Sequence, residues 1–225
     1  MKKRWYDTAL SLLFAVALFF FILTFSIGLP IYFRPFYYAH IEAMNLPEKS
    51  GFSTEEIKEA YDNVLDYLTL PNKEFSTGIM AHSDEGEEHF KDCKVLFDLN
   101  AEILITSGMC LLVLLMLRKT KKVKPFKLGM RSACFYSALM AIFLPIILGG
   151  LASLDFDKAF VVFHNIFFNG KENWLFNPRT DEIIRILPQD FFMHCAFLIG
   201  AGVLIFSSAI IIRELIIHRK KQKTA

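Results

Sequence analysis

The run Ala9-Leu10-Ser11-Leu12-Leu13-Phe14-Ala15-Val16-Ala17-Leu18-Phe19-Phe20-Phe21-Ile22-Leu23-Thr24-Phe25-Ser26-Ile27-Gly28-Leu29-Pro30 carries no charged side chain. About 20 such residues, wound as a helix, cross a ~30 Å hydrocarbon layer. Three further stretches, residues 101–117, 132–151 and 191–212, have the same character. The second is short, and Val95-Leu96-Phe97 extends it outward at the expense of placing Asp98 and Glu102 near the interface. Together they explain a hydrophobic share of 54% and a mean hydropathy of +0.38, above the roughly 45–50% apolar content of ordinary soluble domains. The reading is an all-α membrane protein: a four-transmembrane-helix bundle with an extracytoplasmic, mainly helical cap, forming one integral membrane domain over residues 1–225. Met1-Lys2-Lys3-Arg4-Trp5 resembles the start of a signal peptide. The apolar run after it is too long for an h-region and no small-x-small cleavage site follows, so it is read as a retained span.

Charge between the spans sets the expected orientation. Lys2, Lys3 and Arg4 precede the first span. Arg118, Lys119, Lys121, Lys122, Lys124, Lys127 and Arg131 lie in the loop 118–131, and Arg213, Arg219, Lys220, Lys221 and Lys223 follow the fourth span. Only Asp7 and Glu214 are acidic on that side. Lys and Arg accumulate on the cytoplasmic side, so both termini are expected inside and the segments 31–100 and 152–190 outside. The formal net charge of +2 hides this separation. The basic rim is expected to meet anionic membrane lipids. No basic patch is interleaved with stacking aromatics, which argues against a nucleic-acid partner. Cys93, Cys110, Cys134 and Cys195 form no CxxC pair, and three of them fall in spans, so no disulfide framework is expected.

In the first outer segment, Ser53-Thr54-Glu55-Glu56 has the form of a capping box. Ile57, Ala60, Tyr61, Val64, Leu65 and Leu68 then recur at helical spacing up to Pro71. Residues 71–78 read as a loop. A second helix is expected from about Glu85 into the second span. It would place Glu85, His89, Asp92, Cys93, Leu96 and Asn100 on one side, with His89 and Asp92 neighbours at i,i+3. The second outer segment is dense in aromatics, some of which suit membrane anchoring: Phe156, Phe160, Phe163, Phe167, Phe168, Trp174 and Phe176. Asn169-Gly170 is a turn. Residues 177–187 read as a short capped helix stopped by Pro188.

Each histidine has a bland reading. His218 lies in the basic tail, His194 and His40 lie near the interface, and His82 and His89 flank the acidic run 83–88. An HExxH pair is missing, so the acidic run reads as solvated surface and no metal is expected. Cys93 stands four residues after His89, a spacing compatible with a thiolate–imidazole pair. There is no GxSxG elbow and no nucleotide-binding glycine pattern. His89 with Asp92, and His164, remain as acid–base candidates at the outer membrane surface.

His89-Phe90-Lys91-Asp92-Cys93 and Phe163-His164-Asn165-Ile166-Phe167-Phe168, continued by Trp174, Phe176, Pro178, Thr180-Asp181, Ile184, Pro188 and Phe191-Phe192, resemble the HMxDV-like and FHxxFFxxxxWxFxPxTD motifs of the lipoprotein intramolecular transacylase family. Phe90 stands where the family usually has Met, and Cys93 where it usually has Val; the His–Asp spacing is kept. The resemblance implies four spans, no cofactor, and a substrate lipoprotein whose N-terminal cysteine carries a diacylglyceryl thioether. It implies transfer of the sn-2 acyl chain to the cysteine α-amino group at the outer face of a bacterial cell membrane. On this reading His164 removes the amine proton and His89, oriented by Asp92, protonates the leaving glycerol oxygen; the two roles are interchangeable at this level. Asn165, Asn169 or Trp174 would donate to the oxyanion, and Phe167 and Phe168 belong to the cluster that would hold acyl chains. Two other classes stay open: another lipid acyltransferase or esterase acting through Cys93, and a non-catalytic protein that binds a lipid or an envelope protein.

Overall fold

The computed structural model describes residues 5–120, 126–168 and 170–223. In chain order the elements are α1 (Trp5–Tyr32), α2 (Pro35–Ala43), α3 (Leu46–Ser50), α4 (Thr54–Thr69) and α5 (Asp84–Lys119). A two-stranded hairpin, β1 (Lys127–Leu128) with β2 (Arg131–Ser132), is followed by α6 (Ala133–Leu154), α7 (Phe156–Phe167), a 3-10 turn (Glu182–Arg185) and α8 (Gln189–Lys223). Four helices, α1, α5, α6 and α8, are long and apolar enough to cross a membrane. The protein is all-α and multi-pass, with a helical region beyond the spanning helices. The hairpin, closed at Gly129 in a left-handed conformation (φ +62°), pairs only two residues per strand.

The chain forms two compact units. One gathers the described residues of Met1–Ile27, Ala101–Leu151 and Ile199–Ala225. Here Phe14 and Ala17 of α1 bury against Leu111 and Leu114 of α5 and against Phe126 and Ala133. Ile22, Ala141 and Val203 join α1, α6 and α8. Small residues let helices approach where lipid supplies no hydrophobic drive. Accordingly Ala133, Ala138 and Ala141 are fully buried, and the Ser137 hydroxyl donates to the Ala15 carbonyl at 2.8 Å. Large apolar side chains point outward instead: Leu12, Val16, Ile105, Met109, Leu112, Ile146 and Ile205 are exposed. This is the surface a hydrocarbon solvent requires.

The other unit comprises the described residues of Gly28–Asn100 and Ala152–Leu198. Its core gathers α2, α3, α4, the first turns of α5 and the 183–191 segment. The capping box forms as expected: Ser53 Oγ accepts from Glu56 N at 3.3 Å and Ser53 N donates to Glu56 Oε2 at 2.7 Å. All six residues expected on the apolar face of α4 are buried. Tyr61 stacks on Tyr37 at 3.7 Å, and such aromatic pairs add about 0.5–1.5 kcal/mol beyond their burial. The Tyr37 hydroxyl donates to Ile186 O at 2.8 Å, tying α2 to the 3-10 turn. Arg34 bridges Asp62 and Asp66 on α4.

The segment read as a short capped helix is instead a single 3-10 turn. The reason is a long-range contact: the Asp181 carboxylate accepts from Ser83 N and Ser83 Oγ at 2.9 and 2.7 Å rather than capping its own turn. Residues 156–167, read only as an aromatic segment, form α7. Asp155 caps it through Lys158 N at 2.9 Å. Phe156, Phe160, Phe163, His164 and Phe167 fall at its i,i+3 and i,i+4 positions, a signal already present in the sequence.

Candidate active site

α5 runs without a break from Asp84 to Lys119, and its first four turns, before the spanning stretch 101–117, belong to the second unit. His89 lies on this part and is buried (6% exposed). α7 ends its last full turn with His164, also buried. The two imidazoles face one another with centroids 5.9 Å apart at 30°. Around them stand Phe168 (4.8 Å from His89), Phe176 (5.4 Å from His89) and Phe160 (4.2 Å from His164). Trp174 stacks on His164 at 4.4 Å and 28°.

Each ring nitrogen has a defined situation. His164 Nδ1 lies 2.7 Å from the Phe160 carbonyl; a carbonyl only accepts, so Nδ1 carries the proton and Nε2 the lone pair. Burial lowers the His164 pKa, and that hydrogen bond restores only part of the loss. His89 Nε2 lies 3.4 Å from Cys93 Sγ, one turn on. Burial first, then the neighbouring His164, push His89 down to about 4, against the opposing pull of Asp92 and Asn173. Both rings are therefore neutral at pH 7.

Asp92, expected to orient His89, faces elsewhere. Lys171 Nζ donates to both of its carboxylate oxygens at 2.8 Å, and Asn173 Nδ2 donates at 3.1 Å. Burial would raise the Asp92 carboxyl, but these bonds outweigh it and hold it below the ordinary carboxylate range. Asp92 thus reaches His89 through its field and through Asn173, whose carboxamide lies beside the ring. Lys171 and Asn173 were not singled out from the sequence; the Asn-Trp step at 173–174 inside the aromatic segment was the only hint. Among the described residues, His89 Nδ1, Asn173 Oδ1 and Trp174 Nε1 are buried without a hydrogen bond of full geometry. Three such atoms around one pair of rings mark a place where polar capacity is held in reserve.

The remaining candidates divide. Phe168 is buried in the cluster, whereas Asn165 and Phe167 lie on the exposed side of α7, the Phe167 ring tilted against Phe163 with centroids 4.6 Å apart. Asn169 lies outside the described residues. All four cysteines are free thiols. Burial pushes Cys93 up to about 12, the reverse of an activated nucleophile. The other outer histidines find partners: His40 Nε2 lies 3.0 Å from His194 Nδ1, and His82 Nδ1 lies 3.0 Å from Thr77 Oγ1.

Two neutral imidazoles in an aromatic pocket, one with a free lone pair and a carboxylate near the other, are suited to moving a proton between an incoming nucleophile and a leaving group. Comparison with known proteins places the chain in a family. The sequence model of the lipoprotein intramolecular transacylase Lit matches residues 12–192. The chain belongs to the lipoprotein intramolecular transacylase family. It is 26% identical to the Lit of Bacillus cereus, whose in meso structure superposes with a TM-score of 0.85 over 97% of this chain and 98% of that one. Structures of that Lit with a histidine replaced by arginine or by alanine each match at 25% identity and a TM-score of 0.79. They cover 98% and 97% of this chain, and 95% and 96% of theirs. No curated protein matches. Membership in the Lit family makes the chain a membrane acyltransferase, and the buried histidine pair lies in its second compact unit.

Proposed function

We propose that the protein moves the sn-2 acyl chain of a diacylglyceryl-cysteine lipoprotein onto the cysteine α-amino group, leaving an N-acyl, lyso-form product. The buried pair of neutral imidazoles, found in a chain of this family, carries the reading. The reaction is an ester aminolysis within one molecule. The amine nitrogen forms a bond to the ester carbonyl carbon, and the carbon–oxygen bond to glycerol breaks. One proton passes from nitrogen to the glycerol oxygen. Donor and acceptor travel on the same substrate, so holding them together contributes effective molarities of up to about 10⁵–10⁸ M, and no activated acyl donor is required.

An α-amino group with a pKa of about 7.7–8.0 is mostly protonated near neutral pH, so a base must accept its proton. His164 is that base, because its Nδ1–H is committed to the Phe160 carbonyl and only Nε2 is left to accept. His89 receives the proton through the pair and gives it to the leaving oxygen. With its pKa pushed down to about 4, its imidazolium is a strong acid, so protonating a departing alkoxide runs downhill. Asp92 stabilises that transient cation through its field. Trp174 Nε1–H, a buried donor stacked on the base, is the group we assign to the developing oxyanion. Phe163 and Phe167 offer exposed aromatic surface to acyl chains. A thiolate route through Cys93 has the opposite electrostatics, since burial holds the thiol protonated.

The same reading places the termini and the loop 118–131 in the cytoplasm and the reacting unit at the outer face of the bacterial membrane, against membrane lipid. The decisive test incubates the purified protein with a synthetic diacylglyceryl-cysteinyl peptide and fragments the product by mass spectrometry. Transacylation leaves the total mass unchanged and puts one acyl chain on nitrogen. An unchanged acyl position with folded protein would overturn the proposal.

A further inference from the structure

The start of α5 and the segment 172–181 enclose a cleft of about 450 Å³ that the acyl-transfer chemistry leaves unused. We propose that this cleft receives the lipoprotein polypeptide just after the lipidated cysteine, and that it favours chains with lysine or arginine in the first residues. The inference rests on the transacylase reading above.

The cleft is built rather than incidental. Asp181, itself buried, is spent holding Ser83. Ala81 and Glu182 exchange two further bonds, Glu182 N to Ala81 O at 3.0 Å and Ala81 N to Glu182 Oε2 at 2.9 Å. Gly86 lets the two walls close: a Cβ there would stand 2.2 Å from Asp181 Oδ1. Walls fixed in this way spare a bound chain the cost of ordering them.

Two residues of the cleft lining also touch the surroundings of the histidine pair. Asn173 lines it while donating to Asp92. Phe176 lines it and packs its ring 5.4 Å from that of His89. A peptide leaving the reacting cysteine past these two residues reaches the cleft.

The lining chemistry selects among the parts of such a substrate. Acyl chains need apolar surroundings, whereas an extended polypeptide presents one N–H and one C=O per residue that must find partners. Hydroxyl, carboxamide and carboxylate groups supply these: Ser83, Asn173, Asn177, Glu85 and Glu172 are in the lining. Of the acids, Asp181 is already committed, but Glu85 and Glu172 have no ion-pair partner among the described residues. Glu88 nearby is paired with Lys171 at 3.5 Å. Two unpaired carboxylates at the edge of a polar cleft attract basic side chains and repel acidic ones.

The test uses the full chain in an uncharged detergent, so that no anionic lipid sorts the peptides. Diacylglyceryl-cysteinyl peptides are compared that differ only in Lys-Lys or Glu-Glu at the two positions after the cysteine. At low salt we expect kcat/KM to favour the basic peptide by about 3- to 10-fold, from two exposed ion pairs. The ratio should shrink in high salt and fall toward one in the Glu85→Gln/Glu172→Gln protein. An equal ratio in the unaltered protein, or a preference that survives the double substitution, would overturn the cleft assignment while leaving transacylation intact. Failure to transacylate either peptide would instead overturn the reading on which the cleft assignment rests. Should the double variant not fold, the single Glu172→Gln protein, altered at an exposed position, should show a reduced preference, and an unchanged one would overturn the assignment.

Discussion

Taking the protein from pH 7 to pH 4.5 should weaken the unit that holds His89, mainly through that residue, and the size of the effect follows from its surroundings. Unfolded, the imidazole titrates near 6.5; folded, burial and His164 hold it at about 4. A histidine whose folded pKa is depressed binds fewer protons in the native state, so stability rises with pH between the two values and is lost as pH falls from 6.5 toward 4. Integrating over that window gives a loss of about 2.5 kcal/mol at pH 4.5 relative to pH 7. For a chain of this size that corresponds to roughly 5–10 °C in unfolding temperature. The control is His89→Phe, which replaces the ring with one that cannot titrate and suits its neighbours Phe90, Phe168 and Phe176. Thermal unfolding in detergent, followed at both pH values, should show a much smaller acid loss in the variant. Its residual slope comes from His164, whose pKa is also lowered, and from carboxylates common to both proteins. If wild type and His89→Phe lose the same stability between pH 7 and pH 4.5, the assignment of a buried, neutral His89 is wrong.

His164→Ala should lower kcat/KM for lipopeptide transacylation by about 10²–10⁴, the usual contribution of a positioned base; full activity would exclude His164 from that role. Cys93→Val should retain transacylation, and thiol alkylation should not inhibit the native protein, because the thiol is half-buried and pushed up to about 12; rapid inactivation traced to Cys93 would contradict this. Gly86→Ala should destabilise the unit by about 1–3 kcal/mol, as overpacking does, because the new methyl meets Asp181 Oδ1 at 2.2 Å; an unchanged unfolding temperature would show that this contact gives way freely.

What the sequence determined by itself was everything governed by local pattern. An uncharged run of membrane length, a capping box and an apolar face at 3.6-residue spacing each depend on residues a turn or two apart, so α4 and the four spanning helices could be read without knowing what they touch. The same locality produced the misreadings. The i,i+3 spacing of His89 and Asp92 suggested a direct pair, but Asp92 is bound by Lys171, 79 residues away in sequence. Residues 177–187 suggested a short capped helix, but Asp181 holds Ser83, 98 residues away, and only a 3-10 turn forms. Only the tertiary structure placed His164 against His89, committed His164 Nδ1 to the Phe160 carbonyl, and half-buried Cys93 where desolvation pushes its thiol up. Which nitrogen is free and which group is charged depend on burial and on partners brought together from distant segments. Those are properties of packing, to which a motif contributes residues but not neighbours.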